Sequence, residues 1–412
     1  MSTALPRLAV VLSHPTQYYS PWFRRIAALG AIRMHVYYLW DFGVQCRHDR
    51  DFGQALQWDI PLMDGYSSEF VPNQSVDPGT HHFDGLDNPG LVGRLAAARP
   101  DAILLFGYAY RSHLQVMLAP RLARIPLLLR GDSHDLARPR GWRTSLRRLA
   151  RKILFRRFFR VLAVGSANAD YFRNNGVPDA RIRFVPHCVD NDRFQAAAPA
   201  NAAAAQWRRA LGIPVQAPVI LFAGKFEEKK RPLDLLAAFL RLEREARDGE
   251  LGAALLFVGG GALESDLRRL AGERLGRSVF FAPFKNQSEM PMVYAIADLL
   301  ALPSFGNGET WGLAVNEAMN LARPCLLSTH VGCGPDLVRE GETGWVFEAG
   351  NADALAAALG RALAAGPERR AQMGRNAQAR IQGYSYDIAA GALREALAGL
   401  PTRDPTPIED LP

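Results

Sequence analysis

Short apolar runs separated by amphipathic stretches recur along the whole chain. Runs at 8–12, 34–40, 102–106, 126–129, 161–164 and 183–185 are continuous rather than alternating, the pattern of strands buried on both faces. Between them, apolar residues return at helical spacing over 21–29, 91–98, 112–123 and 168–174. A second series follows, with strands expected at 219–222, 254–258, 279–281, 299–302, 324–327 and 345–347. Helices are expected at 233–242 and 289–296, then in the alanine-rich stretch from about 352 to 390, with a last one ending near 397. Alternation of this kind builds open parallel sheets. The expectation is an α/β fold of two Rossmann-like domains facing a cleft. The first spans 1–200 and the second 213–383, with 384–400 a helix that packs back on the first domain and 401–412 a Pro/Asp-rich tail expected to be disordered. The stretch 195–206, rich in Ala with Pro199 and Asn201, predicts a linker or a loosely attached helix.

Candidate chemistry collects where strands end, because ligands of open parallel sheets sit beyond the carboxyl ends. In the first domain these places carry Ser13-His14-Pro15 and Arg130-Gly131-Asp132-Ser133-His134-Asp135. The Gly-x-Gly-x-x-Gly fingerprint is missing, which argues against an oxidoreductase. Residues 41–86 form a long irregular insertion whose Trp58, Tyr66, Phe70 and Phe83 are expected to pack over the sheet rather than face a ligand. In the second domain Lys225, Lys229, Lys230 and Arg231 crowd one strand-to-helix turn, and Gly259-Gly260-Gly261 is a phosphate loop or a tight turn. Phe284-Lys285 follows a strand where a base could be met. The stretch 303–319 then runs Pro-Ser, glycine loop, helix, with Thr310 as the expected N-cap. Such a helix start points free N–H groups at an anion. Glu309 and Glu317 flank that start, about 12 Å apart if both were helical. That separation suits the two ends of a sugar, diphosphate and nucleoside. It does not suit a glycoside hydrolase, whose carboxyls flank one bond at about 5 to 9.5 Å.

Composition narrows the setting. With 48% hydrophobic and 22% charged residues the chain is an ordinary globular protein, and 412 residues suffice for two cores. A net charge of +8 suits anionic substrates or a lipid surface. Nucleic acid is not expected, since no helix-turn-helix, zinc or aromatic-platform pattern accompanies the charge. Scattered cysteines and the lack of any apolar run of about 18 residues point to a cytoplasmic protein, soluble or peripheral on the inner face of the membrane. Residues 138–160 are dense in arginine, with Leu146, Leu149, Ile153 and Leu154 at helical spacing. Two readings stay open there: a solvated outer helix whose apolar face packs on the domain, or a patch on anionic lipid headgroups. Asp49-Arg50-Asp51 and Asp190-Asn191-Asp192 have the Asp-x-Asp form of some metal sites, a form common by chance, and no metal is expected.

Pro303, Ser304, Glu309, Gly312, Glu317, Ala318 and Met319 fit, in order, a motif of the retaining glycosyltransferases of family 4, which the chain resembles over most of 160–400. Gly224-Lys225-Phe226 with Lys230-Arg231 matches the family's Gly-Arg-Leu and Lys-Gly with two substitutions. Val185-Pro186-His187-Cys188-Val189-Asp190 matches its Pro-Asn-Gly-Val-Asp loop, and His134-Asp135 its active-site His-Asp. The resemblance implies a GT-B fold and metal-independent transfer, with retention, from a nucleotide-diphosphate sugar to a glycan or lipid-linked acceptor. No cofactor is implied. It places Lys225, Lys230, Phe284, Thr310, Trp311, Gly312, Leu313 and Glu317 on the donor, Glu309 and Lys230 at the sugar and leaving group, and His134 at the sugar or acceptor. A nucleotide-sugar epimerase on the same fold, or a nucleotide-sugar-binding protein without turnover, are the alternatives.

Overall fold

The apolar runs become strands of two parallel sheets, in a computed structural model that describes residues 5–49, 54–137, 141–196, 198–246 and 251–400. The first sheet lies in the order Ser67–Phe70, Arg33–Tyr38, Arg7–Leu12, Ala102–Phe106, Leu127–Gly131, Arg160–Ala163, Ile182–Phe184. The second runs Val279–Ala282, Ala254–Gly260, Val219–Lys225, Leu299–Leu302, Cys325–Ser328, Gly344–Phe347. Both orders reverse beside their first strand, and that reversal is where the connecting loops part and leave a crevice. In the first sheet the crevice falls between Arg7–Leu12 and Ala102–Phe106, in the second between Val219–Lys225 and Leu299–Leu302.

Each sheet is buried on both faces, which is why its strands carry no polar alternation. The helix Tyr386–Leu397 seats Ala389, Leu393 and Ala396 in the first domain's core beside Trp22 and Phe23, so it packs back on that domain. Of the two readings of 195–206, a linker or a loosely attached helix, the structure shows a helix, Ala198–Ala210, and its Ala204 joins the second domain's core with Tyr294. Alanine's high helix propensity wins over the breaking tendency of a proline placed in the first turn.

Two expectations change at the surface. The insertion packs on the first sheet only in part: its strand Ser67–Phe70 extends the sheet edge and Tyr66 meets the Tyr38 hydroxyl at 2.6 Å, but Trp58 lines the cleft and Phe83 is exposed. Its 57–59 segment, however, bridges from Gly43 and Val44 of the first domain to Asn286 and Ser288 of the second. The arginine helix, Trp142–Phe155, keeps Phe155 and Leu154 inward but exposes Trp142, Leu146, Leu149 and Ile153. Its apolar stripe does not pack on the domain. Residues 138–140 and the tail 401–412 lie outside the described residues, as do Arg50 and Asp51 of the first Asp-x-Asp triplet. In the second triplet Asp190 caps the helix Asn191–Gln195, accepting from the Arg193 amide at 3.1 Å. Among the described residues, no helix is long and apolar enough to cross a membrane.

Candidate active site

Between the sheets lies a cleft of about 1080 Å³, and both crevices open into it. Its second-domain wall is made by the loops after Val219–Lys225 and Leu299–Leu302. These loops are laced together where the Phe305 amide donates to the Lys229 carbonyl at 2.8 Å. The lacing brings Lys230 to Glu309: the ammonium donates to Oε2 at 2.7 Å, and Ser304 Oγ donates to the same oxygen at 3.0 Å. Burial alone would push the Glu309 carboxyl up. The Lys230 charge and hydrogen bond, with Ser304 and Lys229, outweigh it and hold the group below the ordinary carboxylate value.

The helix that follows starts later than its sequence predicts. It spans Leu313–Asn320, and its N-cap is Gly312 at φ 95°, a left-handed conformation natural to glycine. A Cβ there would stand 3.0 Å from Val331 Cγ1. Thr310 is not the cap; its hydroxyl crosses the cleft and donates to Asp132 Oδ2 at 2.7 Å. Trp311 donates its indole N–H to Asn316 Oδ1 at 2.8 Å, and Trp311, Gly312, Leu313 and Ala314 line the cavity at the helix's amino end. The first N–H groups of any helix lack intrahelical partners, so this wall offers amides to an anion.

Glu317 lies one turn further into the same helix and is 2% exposed. Its Oε2 accepts from the Tyr294 hydroxyl at 2.6 Å, whereas Oε1 is buried without a hydrogen-bond partner. Burial raises its pKa to about 7, and Tyr294, Arg193 and the nearby Tyr18 hydroxyl only partly offset that rise. A carboxylate oxygen left in this way at a cavity wall can accept from a hydroxyl or a water brought into the cleft.

Lys225 and Phe284 also line the cleft, as expected of them. The triglycine has a packing reason: a Cβ on Gly259 would lie 2.1 Å from the Gly224 carbonyl oxygen of the adjacent strand. It is a close crossing of backbones at the cleft wall, which Gly259 also lines.

His134 departs most from its expected place. It is 3% exposed, with Nε2 at 3.0 Å from the Glu309 carbonyl oxygen and Nδ1 at 3.2 Å from the Leu136 amide. An amide can only donate, so Nδ1 accepts and Nε2–H donates to the carbonyl. Burial keeps the ring neutral by lowering its pKa. With both nitrogens used, His134 positions the Glu309 loop, and it is Asp132 that reaches the cavity wall from this strand end.

Apart from His14, which stands at a strand end the sequence marks, several cleft residues carry no signal in their local sequence. Trp40 and Phe42 stack at 4.7 Å, and His14 sets its ring edge-on to both, giving the first-domain wall an aromatic face. From the insertion, Trp58 stands 6.2 Å from the Phe284 ring, Asp59 accepts from the Ser288 amide at 3.2 Å and from its hydroxyl, and Asn286 Nδ2 donates to the Gln57 carbonyl at 2.7 Å. This clasp spans the cleft at the Phe284 end. Among the described residues, ligand atoms of Asp77, His81 and His82 fall within 4.8 Å of one another, a donor set able to hold a metal ion at the rim.

Comparison with known proteins follows the same division of the chain. A family model described as glycosyl transferases group 1 matches residues 204–380, and one described as a glycosyl transferase 4-like domain matches residues 44–188. The D-inositol 3-phosphate glycosyltransferase of Corynebacterium jeikeium is 32% identical over 224 residues, 53% of this chain and 52% of its own. The protein of the same name from Nocardia farcinica is 29% identical over 363 residues, 82% of this chain and 77% of its own. The chain spans about half the length of most such curated relatives. Anabaena HepE, solved with UDP and glucose, is 19% identical, with a TM-score of 0.69 over 96% of this chain and all of its own. That likeness is one of fold, the two-domain GT-B arrangement.

Proposed function

The chain belongs to the glycosyl transferases group 1 family, and on that premise we propose that it moves a sugar from a nucleoside-diphosphate sugar to an acceptor hydroxyl. The acceptor is a glycan or a lipid-linked acceptor, transfer proceeds with retention, and no metal ion is required. The protein works in the cytoplasm, peripheral on the inner face of the membrane.

One observation supports this above the rest. A buried carboxylate oxygen of Glu317 without a partner and the Lys230–Glu309 pair stand in one cleft, with a helix amino end between them. That is the layout of ribose, sugar and diphosphate in one donor. Glu317 Oε1 would accept from the ribose hydroxyls. The diphosphate would compete with Glu309 for the Lys230 ammonium, and Lys225 would add a second charge. At an effective dielectric near 20, each cation about 4 Å from the diphosphate is worth about 4 kcal/mol. Glu309, released from the lysine, would accept from the sugar's hydroxyls. The bond from the anomeric carbon to the diphosphate then breaks, and the acceptor oxygen attacks on the face the diphosphate leaves. The departing phosphate oxygen takes the acceptor's proton, so no side chain need form a covalent intermediate. The aromatic wall of Trp40, Phe42 and His14 offers a surface on which an acceptor sugar ring can lie.

A thermal-shift screen of UDP-, GDP- and ADP-sugars identifies the donor, with UDP-glucose the first to try since HepE was solved with UDP and glucose. Lys230→Ala is then expected to lower transfer by orders of magnitude, and near-wild-type rates would refute the role given to Lys230.

A further inference from the structure

The helix Trp142–Phe155 is turned inside out. Trp142, Leu146, Leu149 and Ile153 are 73%, 60%, 56% and 60% exposed. At about 100° per residue their directions fall within an arc of about 60°. On the inward side, beside Leu154 and Phe155, arginines do the anchoring. Arg151 donates to Asn175 Oδ1 at 2.9 Å and lies 5.2 Å from the Tyr171 ring centre, and Arg157 donates to the Met117 carbonyl at 3.1 Å. A helix that only dissolved the surface would show the reverse, with apolar groups in and arginines out.

Charge selects what covers the stripe. No acidic residue occurs between Asp135 and Asp170, while Arg143, Arg147, Lys152 and Arg156 flank the stripe. The Arg143 guanidinium sits 5.3 Å from the Trp142 ring centre at the helix start, an amphipathic pairing suited to a water–lipid boundary. A second copy docking by the same face would bring the same cations against these, so self-association is opposed. A neighbouring apolar group adds area: the helix Arg111–Leu118 ends in Leu118, 69% exposed, and Arg157 ties that end to the arginine helix. Fourteen residues are too short to span a bilayer and sufficient to lie in its interface.

We infer that Trp142–Phe155 is an interfacial anchor that seats the protein on an anionic lipid bilayer, with Trp142, Leu146, Leu149 and Ile153 entering the headgroup boundary and the flanking cations meeting lipid phosphates. This identifies the surface behind the peripheral location proposed above and does not depend on sugar transfer. It also gives the helix a place in the working molecule. Arg148 reaches back to Asp135 at 3.9 Å, beside the His134 loop that touches Glu309, so the anchor hangs from the cleft's first-domain wall.

Co-sedimentation of the full chain with vesicles of phosphatidylglycerol or of phosphatidylcholine, at low and high salt, tests it without any substrate. The wild type is expected to bind phosphatidylglycerol at low salt, leave it at high salt, and ignore phosphatidylcholine. Leu146→Gln with Ile153→Gln, and separately Arg143→Gln with Arg156→Gln, should each lower partitioning about tenfold while the melting temperature holds, since these side chains are exposed. Absence of binding to phosphatidylglycerol, or binding that both variants retain, overturns the anchor. So does a wild-type dimer that the Leu146/Ile153 variant makes monomeric, which would give the face to a second copy, or binding only to an acidic protein.

Discussion

At Glu317 burial and ligand binding pull the proton in opposite directions. Its pKa of about 7 lies above that of an unfolded glutamate, so the protonated form favours the folded state. The stability it lends is full below about pH 4.5 and is lost as pH rises through about 7, on the order of 3 kcal/mol in all. A ribose diol needs the opposite state, a carboxylate that accepts from both hydroxyls. Donor affinity should therefore rise from pH 6 to pH 8 while the free protein's melting temperature falls. Glu317→Gln should flatten both profiles and weaken donor binding about tenfold or more. Titration calorimetry and melting curves across that range check it, and a donor affinity that falls with pH would contradict it. The Lys230–Glu309 pair allows a cleaner separation. Lys230→Ala leaves a mostly buried carboxylate unpaired, a loss of about 3 kcal/mol. Adding Glu309→Gln should restore much of the stability but none of the transfer. A double variant that regained transfer would show the pair to be structural.

Elements differ in how far their sequence discloses them. Strands were legible because fully buried strands are continuous apolar runs, as at Leu299–Leu302, and their ends moved by only a residue or a few. The start of the helix Leu313–Asn320 was not. Thr310 is a good cap by type, but its hydroxyl is taken by Asp132 from the other domain, and the left-handed Gly312 performs the turn instead. Gly312→Ala should cost about 2 kcal/mol from its φ and from contact with Val331, measured by denaturant melts. The arginine helix was legible as a helix and as amphipathic, yet which way its stripe faced depends on what it packs against. No local pattern carries that information. The clasp was illegible for the same reason, since Asp59 and Ser288 meet across the cleft from opposite domains. If the clasp covers the bound nucleotide, Asp59→Ala should speed nucleotide release about fivefold, the worth of one net hydrogen bond. Stopped-flow release of a fluorescent nucleotide reads this, and an unchanged rate would remove the clasp from the binding path.

Across the whole molecule, the site is an interdomain object. Thr310 to Asp132, His134 to the Glu309 carbonyl and Ser166 to Asp336 tie the domains around the cavity. Neither domain alone holds the donor wall, the aromatic wall and the clasp. That division explains how the motif residues at 309 and 317 could be found from sequence, whereas only part of the first domain's contribution could: His14 and Asp132 stand at strand ends the sequence marks, both His134 nitrogens meet backbone groups, and Trp40, Phe42 and Trp58 belong to no local motif. It also explains why loss of His134 should act through Glu309. His134→Gln, which can still donate to the carbonyl, should retain more transfer than His134→Ala, and equal loss in both would place the imidazole in contact with substrate. The measurement that bears most directly on sugar transfer is the release of nucleoside diphosphate from the stabilising donor, with and without a glycan acceptor, alongside the product's anomeric configuration. Release that depends on the acceptor, with the sugar joined in the donor's own configuration, is the expected result. Isomerisation of the donor sugar with the diphosphate still attached and no acceptor needed, or tight binding with no turnover at all, would contradict it.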